Sequence, residues 1–261
     1  MLTTPTFDKL HALGLGGMAR ALQEQLERPD HQGLTFEERL GLLVDRESLD
    51  RDNRRLERNL KAAKLRSSAC LEDVDFRHPR GLDRPLLLSL ASAQWVGAHQ
   101  NCLIVGPTGC GKTYLCCALA QAAIRQGHTA LYLRAPRLLS ELALAKADGR
   151  LRRLMAAWAR VDLLAIDDFA LRPLTPDQAA DLFEVIEDRS QLRSTIVTSQ
   201  IPVKSWHDAL GEPTIADAIL DRLVHNAHRI ELTGDSLRKA GQIPTQPSSR
   251  SRSKASPDAY E

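Results

Sequence analysis

The segment Gly106-Pro-Thr-Gly-Cys-Gly-Lys112-Thr113 sets glycines, a lysine and a hydroxyl in the order G-x-x-x-x-G-K-T. Glycines free the backbone to turn its N–H groups inward around a polyphosphate. Gly106, Pro107, Thr108, Gly109, Cys110 and Gly111 would form that cradle. Lys112, Thr113 and Tyr114 then open a helix whose N-terminus adds partial positive charge. Lys112 is placed to reach the β- and γ-phosphates of a nucleoside triphosphate, and the Thr113 hydroxyl to ligate Mg²⁺. The segment follows the apolar run Cys102-Leu-Ile-Val105 and precedes a helical pattern, the strand–loop–helix context this chemistry needs. ATP and Mg²⁺ are the cofactors this predicts.

Two further runs end in polar residues. Asp162-Leu-Leu-Ala-Ile-Asp167-Asp168 reads as a buried strand delivering two carboxylates to the sheet edge beside the loop. Asp167 would hold the magnesium shell, and Asp168 would orient and polarise the attacking water. Most relatives with this architecture carry Glu at the second position. An Asp shortens the reach by one methylene, and slow intrinsic hydrolysis is the expectation. Thr195-Ile-Val-Thr-Ser-Gln200 is a second such strand, from which Ser199 or Gln200 could contact the γ-phosphate or the water. Spacing does not choose between them. Arg222, in Ala218-Ile-Leu-Asp-Arg-Leu, and Arg238, in Asp235-Ser-Leu-Arg, could each stabilise charge on a transferred phosphoryl group. On spacing alone each reads as a surface arginine.

These residues need a scaffold. Residues 1–68 read as a helical domain. Leu10, Met18, Leu22 and Leu26 recur at multiples of four, as on one helix face, before a break at Pro29 to Gly33. Thr35 and Glu38 form a T-x-x-E capping box, and an apolar stripe runs on to about Arg66. Residues 69–241 alternate β-rich runs with helices, which implies a parallel sheet covered on both faces. The runs are 102–105, 130–133, 161–166, 195–198 and 229–232. Thr175-Pro176 reads as an N-cap with proline at N1, and Gly127 as a helix C′ residue. Residues 242–261, rich in Ser, Pro and Gln, read as a disordered tail.

Composition narrows the class. The 261 residues are 43% hydrophobic, enough for a packed core, and carry 35 basic against 33 acidic side chains, a net +2. Cys70, Cys102, Cys110, Cys116 and Cys117 form no C-x-x-C pair and no zinc spacing, so free thiols are expected. No run approaches the ~20 apolar residues of a membrane span, and the N-terminus lacks a signal pattern, which points to the cytoplasm.

With the motifs in place, the chain resembles AAA+ ATPases of the helicase-loader type and, more closely, the IstB helper ATPases of IstA/IstB insertion sequences. The likeness extends to about Gly241. It rests on Leu13-Gly-Leu-Gly-Gly-Met-Ala, Thr35-Phe-Glu-Glu-Arg-Leu, Arg77-His-Pro-Arg-Gly-Leu82 and the phosphate loop. Thr198-Ser-Gln, Trp206, Pro213-Thr-Ile-Ala-Asp-Ala-Ile-Leu-Asp-Arg-Leu and Gly234-Asp-Ser-Leu-Arg-Lys are its most specific part. The resemblance implies an α/β AAA+ fold with a five-stranded parallel sheet of order 5-1-4-3-2 behind the small helical N-terminal domain; with only about thirty residues after the fifth strand, the family's helical lid is expected to be vestigial. It makes Gln200 the first sensor, Arg222 the finger reaching a neighbouring subunit's ATP, and Arg238 the second sensor in cis. It sets residues 76–82 near the nucleotide base. It also implies ATP-dependent assembly on duplex DNA with little sequence preference and recruitment of a partner transposase of the IstA kind.

A finger in trans requires a head-to-tail homo-oligomer. Two basic stretches could then line up on DNA. Residues 51–66 hold seven basic against two acidic side chains, a net +5, including Arg54, Arg58 and Lys61. Residues 134–160 hold the same balance, with Arg134, Arg137, Lys146, Arg150, Arg152 and Arg153. A solvated face or a subunit interface is the plain alternative for each. Aromatics at 4% argue against base stacking and for backbone contact. Trp95, Trp158 and Trp206 read as core anchors. A replicative helicase loader acting on single-stranded DNA is the alternative function; a small-molecule P-loop kinase would need a mobile lid that the chain does not offer.

Overall fold

The computed structural model describes residues 3–27, 33–234 and 236–237. Three helices open the chain: α1 (Thr3–Ala12), α2 (Gly16–Glu27) and α3 (Phe36–Ala63). Leu10 does not share a helix with Met18, Leu22 and Leu26, contrary to the four-residue spacing, because the chain turns at Gly14 (φ 71°). The buried face of α2 is Gly17, Ala21 and Gln25 with Ala19, while Leu26 stays 54% exposed. Small residues win that face because α2 lies against α3: a Cβ on Gly17 would come within 2.8 Å of the Glu47 Cα. The buried Glu47 carboxylate accepts from the N–H groups of Gly17 (2.7 Å) and Met18 (3.2 Å), an acid at a helix N-terminus. Arg51 (2.7 Å) and Arg54 (3.3 Å) pair with it. The Arg51 hydrogen bond is the main cause that holds the Glu47 carboxyl below the usual carboxylate range, against its burial.

Helix α3 starts at the expected capping box. The Thr35 hydroxyl accepts from the Glu38 N–H at 3.3 Å, and the Glu38 carboxylate from the Thr35 N–H at 2.8 Å. It ends at Ala63 rather than near Arg66, because Lys64 takes the left-handed conformation (φ 53°). Leu56, Leu60 and Leu65 pack against the core beneath the sheet.

Next come α4 (Arg84–Ala91) and α5 (Gln94–Gly97), then β1 (Asn101–Val105), α6 (Lys112–Arg125) and β2 (Ala130–Arg134). They are followed by α7 (Ala135–Ala147), α8 (Leu151–Arg160), β3 (Leu163–Phe169), α9 (Pro176–Glu187) and β4 (Ser194–Ser199). The last elements are α10 (Trp206–Leu210), α11 (Pro213–Val224) and β5 (Ala227–Glu231). All four strand pairings are parallel, in the order β2-β3-β4-β1-β5, the expected 5-1-4-3-2 sheet read from its other edge. Every residue of β1 and β4 is buried, which explains their continuous apolar runs. Core side chains on one face include Leu115, Leu119 and Ile124 of α6; on the other, Leu138, Leu182 and Ile219 of α7, α9 and α11. Trp95, Trp158 and Trp206 are all buried, and Phe169 meets Trp206 with ring centroids 4.8 Å apart.

The five cysteines are free thiols, four of them buried; burial pushes Cys102 up to about 12. Among the described residues no helix is long and apolar enough to cross a membrane. The segment 242–261, expected to be disordered, lies outside the described residues.

Candidate functional site

The loop after β1 needs its glycines. Gly106 lies at φ 153° and Gly111 at φ 97°, backbone that disfavours side chains. A Cβ on Gly106 would lie 2.5 Å from the Leu232 carbonyl oxygen, and one on Gly111 2.6 Å from Arg80 Nη1. Lys112 Nζ donates to the carbonyls of Gly106 and Pro107, both at 2.7 Å. The Cys110 thiol, fully buried, donates to Pro107 O at 2.9 Å. Behind the loop, buried Arg80 donates to the Cys110 carbonyl at 3.1 Å. The Thr233 N–H donates to Arg80 O at 2.8 Å, and the Leu237 N–H to Gly109 O at 3.0 Å. Two sequence runs 150 residues apart, around Arg80 and Gly234, thus meet on the loop's far side.

The two acids of β3 diverge. The pairing of β3 with β4 shifts register between Ile166 and Phe169, and Asp168 sits at φ 59°. A bulge of this kind re-aims side chains and is common beside active sites. Asp167 is fully buried and accepts from the hydroxyls of Thr113 (2.9 Å), Tyr132 (2.6 Å) and Thr198. Burial first, then the Asp167 hydrogen bond, raises the Tyr132 hydroxyl, which therefore stays a proton donor. Asp168 instead faces the cavity. Its carboxylate takes Arg134 Nε at 2.9 Å and Nη2 at 2.8 Å, and its N–H donates to Thr198 Oγ1 at 3.2 Å. Thr113 and Asp167 place two hard oxygen donors side by side, the donor chemistry that Mg²⁺ takes.

These groups border a cavity of about 400 Å³. Its wall comprises Thr108, Gly109, Gly111, Lys112, Thr113 and Tyr114 from the loop and α6, with Arg66, Arg134, Asp168, Gln200 and Leu237. Of the two strand-end candidates, Gln200 reaches the cavity, where its Oε1 accepts from Thr108 Oγ1 at 2.6 Å. Ser199 is buried and donates to Phe169 O.

Arg222 lies elsewhere. Its carbonyl accepts from the Asn101 side chain at 3.0 Å, so it sits where β1 begins, whereas the loop follows Val105. That is about 16 Å of strand away. Arg222 ion-pairs with Glu187 and lies 5.1 Å over the Phe183 ring. The pairing lowers the Glu187 carboxyl and raises the Arg222 guanidinium. Arg238 lies outside the described residues.

Most of the basic residues singled out in the sequence have acidic partners. Arg134 holds Asp168, Arg137 pairs with Glu141 (2.9 Å), Lys146 with Asp181, Arg150 with Asp148 (2.5 Å) and Arg54 with Glu47. Arg58, Lys61, Arg152 and Arg153 are exposed and carry no ion pair among the described residues. The sequence reading missed Arg66, Arg80, Tyr132 and Thr198. Thr198, a polar residue inside an apolar strand run, carried a local signal; the others became visible only through tertiary proximity.

The family described as IstB-like ATP binding protein matches residues 8–244. The chain is 51% identical over 239 residues to the insertion sequence ATP-binding protein y4pL of Sinorhizobium fredii, covering 92% of this chain and 98% of that one. It is 53% identical over 203 residues to the ATP-binding protein of insertion sequence IS1162 from Pseudomonas fluorescens, covering 77% of this chain and 88% of that one. The crystal structure of DnaI superposes with a TM-score of 0.54 at 23% identity, over 64% of this chain and 92% of that one, a likeness of fold.

Proposed function

The chain belongs to the IstB-like ATP binding protein family, and from that premise we propose that it is the ATPase helper of an insertion-sequence transposase. It binds ATP at the phosphate loop, assembles head to tail on duplex DNA with little sequence preference, recruits the transposase and hydrolyses ATP for turnover. The observation that carries this reading is the convergence of Lys112, Thr113, Asp168 and Gln200 from three elements on one cavity, with buried Asp167 bonded to Thr113 behind its wall.

In this reading Lys112 leaves the loop carbonyls for the β- and γ-phosphates, which offer it a full opposite charge. Thr113 and Asp167 would hold Mg²⁺, which would supply positive charge to offset that of the phosphates. Asp168, released from Arg134, accepts a hydrogen bond from the attacking water, and Gln200 senses the γ-phosphate beside it. Arg222 leaves Glu187 to enter the cavity of the next subunit. Its position at the opposite end of β1 from its own loop supports a contact with a neighbouring subunit. Arg238 acts in cis. Arg58, Lys61, Arg152 and Arg153 are the first candidates for DNA phosphates; Arg54, Arg134, Arg137, Lys146 and Arg150 must exchange an acidic partner before they contribute.

Sedimentation of the full chain with random-sequence duplex or matched single strand, with and without ATP, tests the reading. Large complexes on duplex that require ATP are expected. Binding confined to single strands would overturn it in favour of a helicase loader.

A further inference from the structure

Among the described residues three cations border the cavity: Lys112, Arg134 and Arg66. Lys112 Nζ donates to two loop carbonyls, and Arg134 is bound through two nitrogens to Asp168. The third, Arg66, belongs to neither the loop nor the sheet. It follows the end of α3, two residues after the left-handed Lys64. Its backbone is anchored, because Ala63 is fully buried and Leu65 packs against the core. Its side chain is 48% exposed and lines the cavity with Lys112 and Thr113. The nearest carboxylate, Asp167, is 3.9 Å away and already accepts from three hydroxyls. The guanidinium also meets the Tyr132 hydroxyl, the first cause that raises it. That contact leaves most of its five donors, in a planar fork suited to phosphate oxygens.

We propose that Arg66 binds the phosphates of the nucleotide held by its own chain, and that this contact ties the N-terminal helices to nucleotide occupancy. The proposal rests on the reading that ATP occupies the cavity. The second half follows from the path of α3. The helix runs 28 residues, about 42 Å, from the pair it forms with α2 to the cavity. In its last third Arg55 is fastened to the Gly127 carbonyl at 2.7 Å, so the segment from there to Arg66 is held at one end by the loop before β2 and borders the cavity at the other. A phosphate that engages Arg66 adds a restraint at the cavity end, and that restraint is felt along the final turns of α3.

The test compares the full chain with Arg66→Ala, Arg66→Lys and Lys112→Ala. Two quantities are read: affinity for a fluorescent ATP analogue with Mg²⁺, and amide hydrogen exchange of residues 56–66 with and without saturating nucleotide. The parent is expected to gain protection over 56–66 on binding. Arg66→Ala is expected to bind about tenfold more weakly, the equivalent of one charge-assisted hydrogen bond, and to lose that gain even at saturation. Arg66→Lys keeps the charge but not the fork and falls between the two. Arg66→Gln carries the same test should the alanine variant not fold. Parent-like affinity and parent-like protection in Arg66→Ala would overturn the proposal while leaving ATP binding intact. Failure of the parent to bind the analogue would instead overturn the ATP reading beneath it.

Discussion

Asp167 and Asp168 are neighbours in sequence with opposite surroundings. Three hydroxyls saturate the buried Asp167, whereas a left-handed backbone turns Asp168 towards the cavity and into the grip of Arg134. The first suits a group that must stay put beside a metal ion, the second a group that must be freed to act. Asp168→Asn should therefore keep ATP affinity while hydrolysis falls by about 10²-fold or more, as expected on losing a positioned proton acceptor; steady-state phosphate release alongside equilibrium nucleotide binding checks both halves. Lys112→Ala should abolish ATP-dependent assembly, and normal assembly of that variant would sink the phosphate-loop assignment. Arg134→Ala removes the restraint on Asp168, so basal ATP turnover without DNA should rise severalfold.

Among the elements, α2 shows how a helix can be placed by one acid. Glu47 meets the first N–H groups of α2, and only Gly17 allows the backbones so close. Because the Arg51 hydrogen bond lowers the folded-state pKa of Glu47, its stabilisation is present above the ordinary carboxylate range and is lost as pH falls through the depressed value. Glu47→Gln should therefore loosen α2 at neutral pH, seen as faster amide exchange over residues 16–27, and the difference from the parent should vanish in acid. The start of α9 is a second local device. Thr175 accepts from the Gln178 N–H at 3.3 Å, and the Gln178 side chain accepts from the Thr175 N–H at 3.2 Å. Thr175→Ala should cost about 1 kcal/mol in denaturant unfolding.

For the whole molecule, the sheet order separates two arginine-dependent functions. The strand β1 runs from Asn101, beside Arg222, to Val105, beside the phosphate loop, so the cavity and the proposed finger lie at opposite ends of that strand. Subunits that share sites in this way must stack head to tail. Arg222→Ala should bind ATP but not hydrolyse it, and mixing it with Asp168→Asn subunits should restore part of the turnover; no recovery at any ratio would exclude a finger in trans. Removing Arg152 or Arg153 should weaken duplex binding across all sequences and lower the slope of log affinity against log salt by about one each.

The local patterns carried far. The loop glycines, the capping box at Thr35, the N-cap at Thr175 and the continuous apolar strands were legible because each depends on neighbours in sequence; the sheet order came from the resemblance to AAA+ ATPases. Tertiary structure decided the rest. Spacing could not show that Gly14 separates Leu10 from Met18, that Asp168 is held by Arg134, or that Gln200 rather than Ser199 reaches the cavity. Nor could it show that Arg66, one charge among seven in the basic stretch 51–66, ends 3.9 Å from Asp167. Gly14 acts locally, through a left-handed turn; the other three share one physical reason. A side chain's electrostatic partner is set by distance in space, and residues 30 to 100 positions apart meet only once the parallel sheet has brought its strand ends to one edge.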